Sequence, residues 1–174
     1  VFPVWTPGSY MLREYTRNIE KIAAQFYEGA GEPKSMEIPL HRDGKNRWFV
    51  QHQGRVGWLK IEYRLYCREN SVRTNWLDRD YGFLTGAATF PSVEGLSDQP
   101  IQVALNLPPT WPNTASSLQQ IEVKPNRVIY QAANFDDLVD SPIVCGNFTC
   151  QSFESSGREH YLVHVNSDDL WNVD

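Results

Sequence analysis

Two histidines four positions apart, His160 and His164, are the first residues of this 174-residue chain that suggest chemistry. Histidines at this spacing chelate zinc when they lie on one face of a helix, as in the His-Glu-x-x-His motif. Here the Glu of that motif is missing, and residues 159–165 alternate in polarity as a strand does. Four residues of strand span about 13 Å, too far for two imidazoles to share one zinc ion. We therefore predict no metal site at this pair.

The acidic group Asp136, Asp137 and Asp140 could supply paired carboxylates for acid–base chemistry. A structural interpretation is simpler. Asn134 is a suitable helix N-cap, which would place Asp136 and Asp137 in the first helical turn, where the helix dipole favours negative charge. We therefore predict one short helical turn here, and no catalytic role for these carboxylates.

Other common sites are also missing from the sequence. Asp78 and Asp80 lack the spaced ligands and the closing Glu of a calcium loop. No glycine-rich phosphate loop follows a strand, no Gly-x-Ser-x-Gly motif occurs, and nothing orders a serine and a histidine into a triad. On its own residues the chain offers no catalytic centre, no metal site and no bound cofactor.

Cys67, Cys145 and Cys150 are odd in number, and their spacing is not that of a zinc knuckle. We expect free thiols, with a Cys145–Cys150 disulfide as the alternative. Free thiols are typical of a reducing compartment, so the expected location is the cytoplasm. The sequence leaves open a signal peptide upstream of Val1.

The composition indicates a globular domain and excludes two classes of partner. Hydrophobic residues make up 41% and aromatic residues 13%, which is enough for a packed core. The net charge is −5 and no basic cluster occurs, so we expect no nucleic-acid binding. No apolar run approaches the roughly 18 residues of a membrane span, so we expect no membrane partner.

The elements that must position these residues are short strands separated by turn signals. Residues 56–67 give the clearest pattern, because Leu59, Ile61 and Tyr63 alternate with charged residues. Asp43-Gly44 predicts a hairpin turn. Strands are predicted near residues 1–4, 19–27, 36–40, 48–50, 56–67, 71–77, 83–90, 101–107, 123–132, 143–153 and 159–165. The predicted fold class is all-β, as a β-sandwich or large curved antiparallel sheet with at most one or two short helical turns.

The densest run of constrained residues lies near the start of the chain. Pro7 fixes its own φ and Gly8 tolerates a positive φ, so this pair predicts a type II turn. Trp5 and Tyr10 flank the turn with large apolar bodies and polar tips. The stretch is either a structural corner between strands or a recognition loop. Arg13 could hold a carboxylate in a bidentate pair, either within its own domain or in another domain.

This stretch, Trp-Thr-Pro-Gly-Ser-Tyr followed by Arg-Glu-Tyr, resembles the amino-terminal signature of the glycyl aminopeptidase family of zinc metallopeptidases. Later blocks resemble the family's motifs in the same order, over nearly the whole chain. They are residues 71–74 with 80–87, then Pro108-Pro109-Thr110-Trp111, then residues 135–143 followed by Gly146. Thr85 stands where the family pattern has Asn. The family's His-Glu-x-x-His motif, downstream Glu ligand and PDZ region are absent from these residues.

The resemblance implies a single amino-terminal β domain over residues 1–174, with its first strand truncated. Full-length members add a thermolysin-like zinc domain and a PDZ domain. By resemblance to the wider group of two-domain zinc aminopeptidases, the β domain is expected to cover the cleft of the zinc domain. In that group, one loop of the β domain can help to recognise the free amino end of the substrate. The implied partners are therefore the protein's own catalytic domain and a peptide substrate. Zinc is implied for the longer protein and not for this domain, which would be non-catalytic.

The resemblance also selects candidate residues. Loop 81–88 is the candidate substrate-binding edge, because small residues would let its backbone approach a peptide. Its named residues are Tyr81, Phe83, Thr85, Gly86 and Ala87. Candidate interface or structural residues are Trp5, Pro7, Gly8, Tyr10, Arg13 and Asp140. The alternative is a free-standing β-sandwich module that binds peptide or carbohydrate. A domain of a larger enzyme would expose an apolar patch, whereas a free module would have a self-contained groove.

Overall fold

The computed structural model describes residues 1–6, 8–29, 34–51 and 54–165. These residues form an all-β protein, as predicted, with a 3-10 helix (Tyr15–Asn18) and two short α-helices, α1 (Gly86–Thr89) and α2 (Phe135–Asp140). They fall into two compact units. Unit one comprises the described residues within Val1–Asn75 and Ala87–Ser97, and unit two those within Trp76–Gly86 and Asp98–Asp174. No helix in the described part of the chain is long and apolar enough to cross a membrane.

Unit one contains a three-stranded antiparallel sheet and a separate hairpin. Its strands are β1 (Ile19–Glu28), β2 (Lys34–Glu37), β3 (Leu40–Asp43), β4 (Arg47–Val50) and β5 (Gly57–Leu65). The sheet order is β2-β1-β5, and β3 pairs with β4. The predicted Asp43-Gly44 turn is confirmed, since Gly44 has a φ of 72° where β3 turns into β4. The strand prediction for 36–40 covers the end of β2 and the start of β3, which are separate strands.

The core of unit one lies between this sheet and its neighbouring segments. Ala24, Phe26 and Ile38 are buried together, with Leu40 and Ile61 among the residues packed against them. Residues 1–6 form no strand. Phe2 is nevertheless buried, and its ring meets the rings of Trp48 and Tyr63 edge to face, with centroids 5.6 and 5.4 Å away.

Unit two contains two sheets and a further hairpin. Its strands are β6 (Trp76–Leu77), β7 (Tyr81–Leu84), β8 (Ile101–Asn106), β9 (Asn113–Ser116), β10 (Gln119–Lys124), β11 (Arg127–Ala132), β12 (Ile143–Gly146), β13 (Thr149–Ser155) and β14 (Arg158–His164). The four-stranded sheet has the order β6-β7-β12-β9, and the three-stranded sheet the order β10-β11-β8. Strands β13 and β14 pair with each other. His160 and His164 lie on β14, so the strand prediction there is confirmed.

The predicted helical turn is α2, and its cap is the predicted one. The side chain of Asn134 accepts a hydrogen bond from the backbone N–H of Asp137 at 2.8 Å. The carboxylate of Asp137 accepts in turn from the N–H of Ala133 at 2.8 Å. This reciprocal pair satisfies two backbone donors at the start of the helix. It gives Asp137 a structural role, as the sequence indicated.

Further strand predictions were wrong in part. Residues 71–74 form a turn, because the carbonyl of Ser71 accepts from the N–H of Thr74 and the hydroxyl of Ser71 from that of Arg73, both at 3.3 Å. Within 83–90 the strand ends at Leu84, and α1 begins at Gly86.

Candidate functional site

The motif residues collect in two places, one in each unit. In unit two the centre is the antiparallel pair β7–β12, in which Phe83 lies opposite Val144 and Tyr81 opposite Gly146. Trp111 belongs to the same cluster, because its indole N–H donates to the carbonyl of Arg79 at 3.0 Å. Loop 81–88, the Pro-Pro-Thr-Trp block and the block that ends at Gly146 are thus brought together, although they are far apart in sequence.

Gly146 is the point of closest approach in this cluster. Its φ is 144°, in the region that favours glycine, and an added Cβ would lie 2.6 Å from the carbonyl oxygen of Asp80 and from the Cα of Tyr81. Both of those atoms belong to the backbone and cannot turn away. The absence of a side chain at Gly146 therefore lets β12 pair closely with the start of loop 81–88.

Gly82 is enclosed by the side chains of Cys145 and Trp111. A Cβ there would meet the sulfur of Cys145 at 3.0 Å and the ring of Trp111 at 3.1 Å. The thiol of Cys145 is buried and donates a long hydrogen bond to the carbonyl of Gly82 at 3.7 Å. Burial raises the pKa of Cys145 to about 11, so this thiol stays protonated and unreactive near neutral pH. Cys67, Cys145 and Cys150 are all free, as expected from the sequence.

Gly86 lies against helix α2. A Cβ at this position would be 2.5 Å from the carbonyl oxygen of Leu138 and 2.5 Å from the Cα of Val139. The close backbone approach suggested by a glycine here is therefore present, but its partner is the chain's own helix. Residues 81–88, predicted as a loop, are strand β7 and the start of helix α1, and this contact fixes the point where α1 begins. The name loop 81–88 is kept for this segment.

We expect Gly86→Ala to lower the free energy of unfolding by about 2–3 kcal/mol, because the new methyl must displace the backbone of α2. Urea denaturation followed by circular dichroism measures this loss. Gly95→Ala is the control. Gly95 has a φ of 79° and nothing within 4 Å of an added Cβ, so only backbone strain of about 1 kcal/mol is expected. Equal losses in the two variants would show that the contact with α2 does not constrain the loop.

The described structure divides the candidate substrate-binding residues into two groups. Tyr81, Phe83 and Thr85 are partly exposed, whereas Gly86 is buried and Ala87 is only 3% exposed. The small residues are therefore accounted for by close packing within the chain. Tyr81, Phe83 and Thr85 are therefore the accessible side chains among the candidate substrate-binding residues.

Asp78 positions the start of the loop, although sequence reasoning assigned it no such role. One of its carboxylate oxygens accepts from the backbone N–H groups of Asp80 and Tyr81, at 2.8 and 3.0 Å. The other oxygen accepts from the indole N–H of Trp76 at 3.0 Å. An Asp at the head of a short turn is the signal that could have revealed this, since Asp side chains accept from backbone N–H groups two and three residues on.

The remaining acidic candidate, Asp140, is the last residue of α2 and is exposed. Ser141 follows it and is buried, with its hydroxyl 2.8 Å from that of Ser117. Within the described ranges, no group of three or more His, Cys, Asp or Glu side chains could hold a metal ion. The described residues therefore do not fit the zinc ion that the resemblance implies for the longer protein.

The second place is the opening corner, residues 4–13 of unit one. The indole N–H of Trp5 donates to the carbonyl of Ser9 at 2.8 Å, and the hydroxyl of Ser9 donates to the carbonyl of Met11 at 2.9 Å. Gly8 has a φ of 78°, which fits the predicted turn, while Pro7 lies outside the described residues. These contacts give the corner a fixed shape, as the structural interpretation expects.

The corner also exposes a row of apolar side chains, which are Trp5, Tyr10, Met11 and Leu12. Tyr10 is fully exposed and Leu12 is 75% exposed. Consecutive large apolar residues on a surface mark interaction sites more often than single ones do. Such a row is what a domain that packs against a larger protein would present.

The structure is an all-β domain in which the motif blocks form two clusters. A family model described as the peptidase M61 N-terminal domain matches residues 1–147. The chain belongs to this family, and the resemblance read from its motifs is confirmed.

A solved structure agrees with this assignment. The chain is similar to the crystal structure of an aminopeptidase N family protein from Idiomarina loihiensis, with 30% sequence identity and a TM-score of 0.80. The match covers 93% of this chain and 27% of that one, so this chain spans about a quarter of the length of its structural relative. No curated protein matches the chain.

Proposed function

We propose that this chain is the non-catalytic amino-terminal domain of a zinc-dependent aminopeptidase. In this proposal it packs on the peptidase domain and helps to form the cleft that receives the amino end of a peptide. The family match over residues 1–147 and the much longer aminopeptidase N family relative support the assignment. Zinc and the hydrolytic step belong to the peptidase domain, and this chain contributes shape and binding contacts.

The observation that carries the proposal is the rigid support beneath loop 81–88. Gly86 rests on the backbone of α2, Gly146 on that of Tyr81, and Asp78 caps the turn before the loop. A loop fixed in this way loses little conformational freedom when a ligand binds, so more of the contact energy appears as affinity. Tyr81 and Thr85 are the partly exposed side chains that this support would present to a substrate.

We expect Tyr81→Ala and Thr85→Ala, made in the longer protein, each to lower kcat/KM for substrates with amino-terminal glycine by about tenfold. That factor corresponds to about 1.4 kcal/mol, roughly the worth of one lost binding contact. Steady-state peptidase assays measure it. Val123→Ala, at an exposed position on β10, is the control and should leave kcat/KM unchanged. Unchanged kcat/KM in both loop variants would refute the role of this loop.

One observation favours the alternative of a free-standing binding module. Unit one contains a cavity of about 300 Å³ whose lining includes Phe2, Trp48, Phe49 and Ile61, a size and composition that suit an apolar side chain of a bound peptide. Peptidase assay and metal analysis of the longer reading frame separate the two functions. Zinc content with release of amino-terminal residues supports the aminopeptidase domain. A reading frame that encodes no zinc-binding domain would make the binding module the better account.

A further inference from the structure

We propose that the opening corner is a contact surface for the peptidase domain, and that Arg13 binds there an Asp or Glu carboxylate of that domain. The inference rests on the proposed function, since it names the surface through which the two domains would meet. It concerns a site separate from loop 81–88 and can be tested without measuring activity.

The site is a cavity of about 400 Å³ beside the corner. Its lining includes Arg13, Arg17, Glu69 and Ser71. It therefore joins the first motif block to the block at residues 71–74, which are about 60 positions apart in the chain. The carbonyl of Gly8 lies 3.5 Å from the guanidinium of Arg73, a further link between the two blocks.

Of the charged side chains that line the cavity, which are Arg13, Glu14, Arg17 and Glu69, Arg13 alone lacks an ionic partner among the described residues. Arg17 is paired with Glu69 at 2.6 Å, and Glu14 is paired with Lys45. Among the described residues, no carboxylate pairs with Arg13, so the cavity keeps one uncompensated positive charge. This charge favours an anionic occupant.

Arg13 also has an unmet hydrogen bond. Its Nε atom is buried and has no acceptor. An N–H in that position has lost its contact with water without gaining a partner, which is unfavourable. Because Nε is buried in this conformation, the guanidinium must turn toward the cavity before Nε–H can bind a carboxylate. The hydrogen bond that Nε–H then gains favours this turn. A carboxylate suits the planar guanidinium best, since it accepts two parallel N–H bonds.

The surroundings of the cavity favour a protein surface over a small anion. Met11 and Leu12 line the cavity and are largely exposed, and Tyr10 and Trp5 stand exposed beside them. An arginine among exposed aromatic and aliphatic side chains is the composition of the energetic centre of a protein interface. A free carboxylate would neutralise Arg13 but leave these apolar groups in water. A neighbouring domain would neutralise Arg13 and would also cover these apolar groups.

The first measurement tests the carboxylate site on this chain. The Arg13 Nε–H resonance in a ¹H–¹⁵N spectrum, assigned by its loss in Arg13→Met, is followed during titration with acetate, with sodium chloride at equal ionic strength as reference. We expect a saturable downfield shift with acetate only. The control, Arg158→Met, removes an exposed cation on β14 that does not line this cavity, and it should keep the shift. Absence of a saturable shift would overturn the proposal.

The second measurement identifies the occupant. Phenylglyoxal modification of Arg13, measured by peptide mass spectrometry, is compared in this chain and in the longer protein, with the exposed Arg158 as internal reference. We expect at least about tenfold slower modification of Arg13 in the longer protein. Equal rates, together with acetate binding, would mean that the site takes a free small carboxylate and would overturn the docking role. Loss of kcat/KM in the loop 81–88 variants is measured separately, so the proposed function and this inference can fail independently.

Discussion

Gly146→Ala is expected to lower the free energy of unfolding by about 3–4 kcal/mol, a larger loss than that expected for Gly86→Ala. Two costs combine. An alanine at a φ of 144° is strained by about 1–2 kcal/mol, and its Cβ would lie 2.6 Å from the backbone of Asp80 and of Tyr81. For a chain of this length the midpoint of thermal unfolding should fall by roughly 10 °C. Urea denaturation and a thermal scan by circular dichroism measure both quantities.

Gly157→Ala separates the two costs. Gly157 has a φ of 71° in the turn between β13 and β14, and an added Cβ there has nothing within 4 Å. Its loss should be limited to backbone strain of about 1 kcal/mol. If the two variants unfold at the same urea concentration, the close approach of β12 to Asp80 and Tyr81 is not what requires glycine at 146.

Trp111→Ala is expected to lower the free energy of unfolding by about 3–5 kcal/mol. The side chain is buried, it packs over Gly82, and its indole N–H is bonded to the carbonyl of Arg79. Truncation leaves a large cavity and an unpaired carbonyl beside β7. Trp111→Phe keeps most of the ring and removes the hydrogen bond, so we expect it to lose about 1–2 kcal/mol.

Circular dichroism is the right probe for this series, because replacing Trp111 removes one of the tryptophans on which a fluorescence signal depends. Trp58→Ala is the control, since Trp58 is largely exposed on β5 and its truncation should cost within about 0.5 kcal/mol. A loss at Trp111 no larger than that at Trp58 would mean that the Pro-Pro-Thr-Trp block does not support loop 81–88.

Local signals predicted much of the fold. The alternation in β5, the Asp43-Gly44 turn and the Asn134 cap of α2 depend on neighbouring residues, and each was recognised from sequence. Residues 71–77 misled because Val72 and Thr74 favour strands, whereas the hydrogen bonds of Ser71 close a turn. The intrinsic preference of a residue for strands is weak enough for local side-chain and backbone hydrogen bonds to override it.

The candidate site could be predicted only in part, because its geometry depends on contacts between distant residues. A glycine at 146 or 86 suggests close packing, but sequence alone does not show that Tyr81 and α2 are the partners. The unpaired Nε of Arg13 was likewise invisible, since it depends on Glu69 and Lys45 having neutralised the other charges around the cavity. The substrate-binding role of loop 81–88 and the interface role of the opening corner stay predictions.

The glycines beneath loop 81–88 also limit how the loop can be redesigned. Positions 82, 86 and 146 each face backbone or a buried side chain at distances too short for an added Cβ, so a library that varies them would mostly sample destabilised protein. Tyr81, Phe83 and Thr85 are only partly buried and can change without that penalty. A search for altered ligand preference should therefore randomise these three positions and hold the glycines constant.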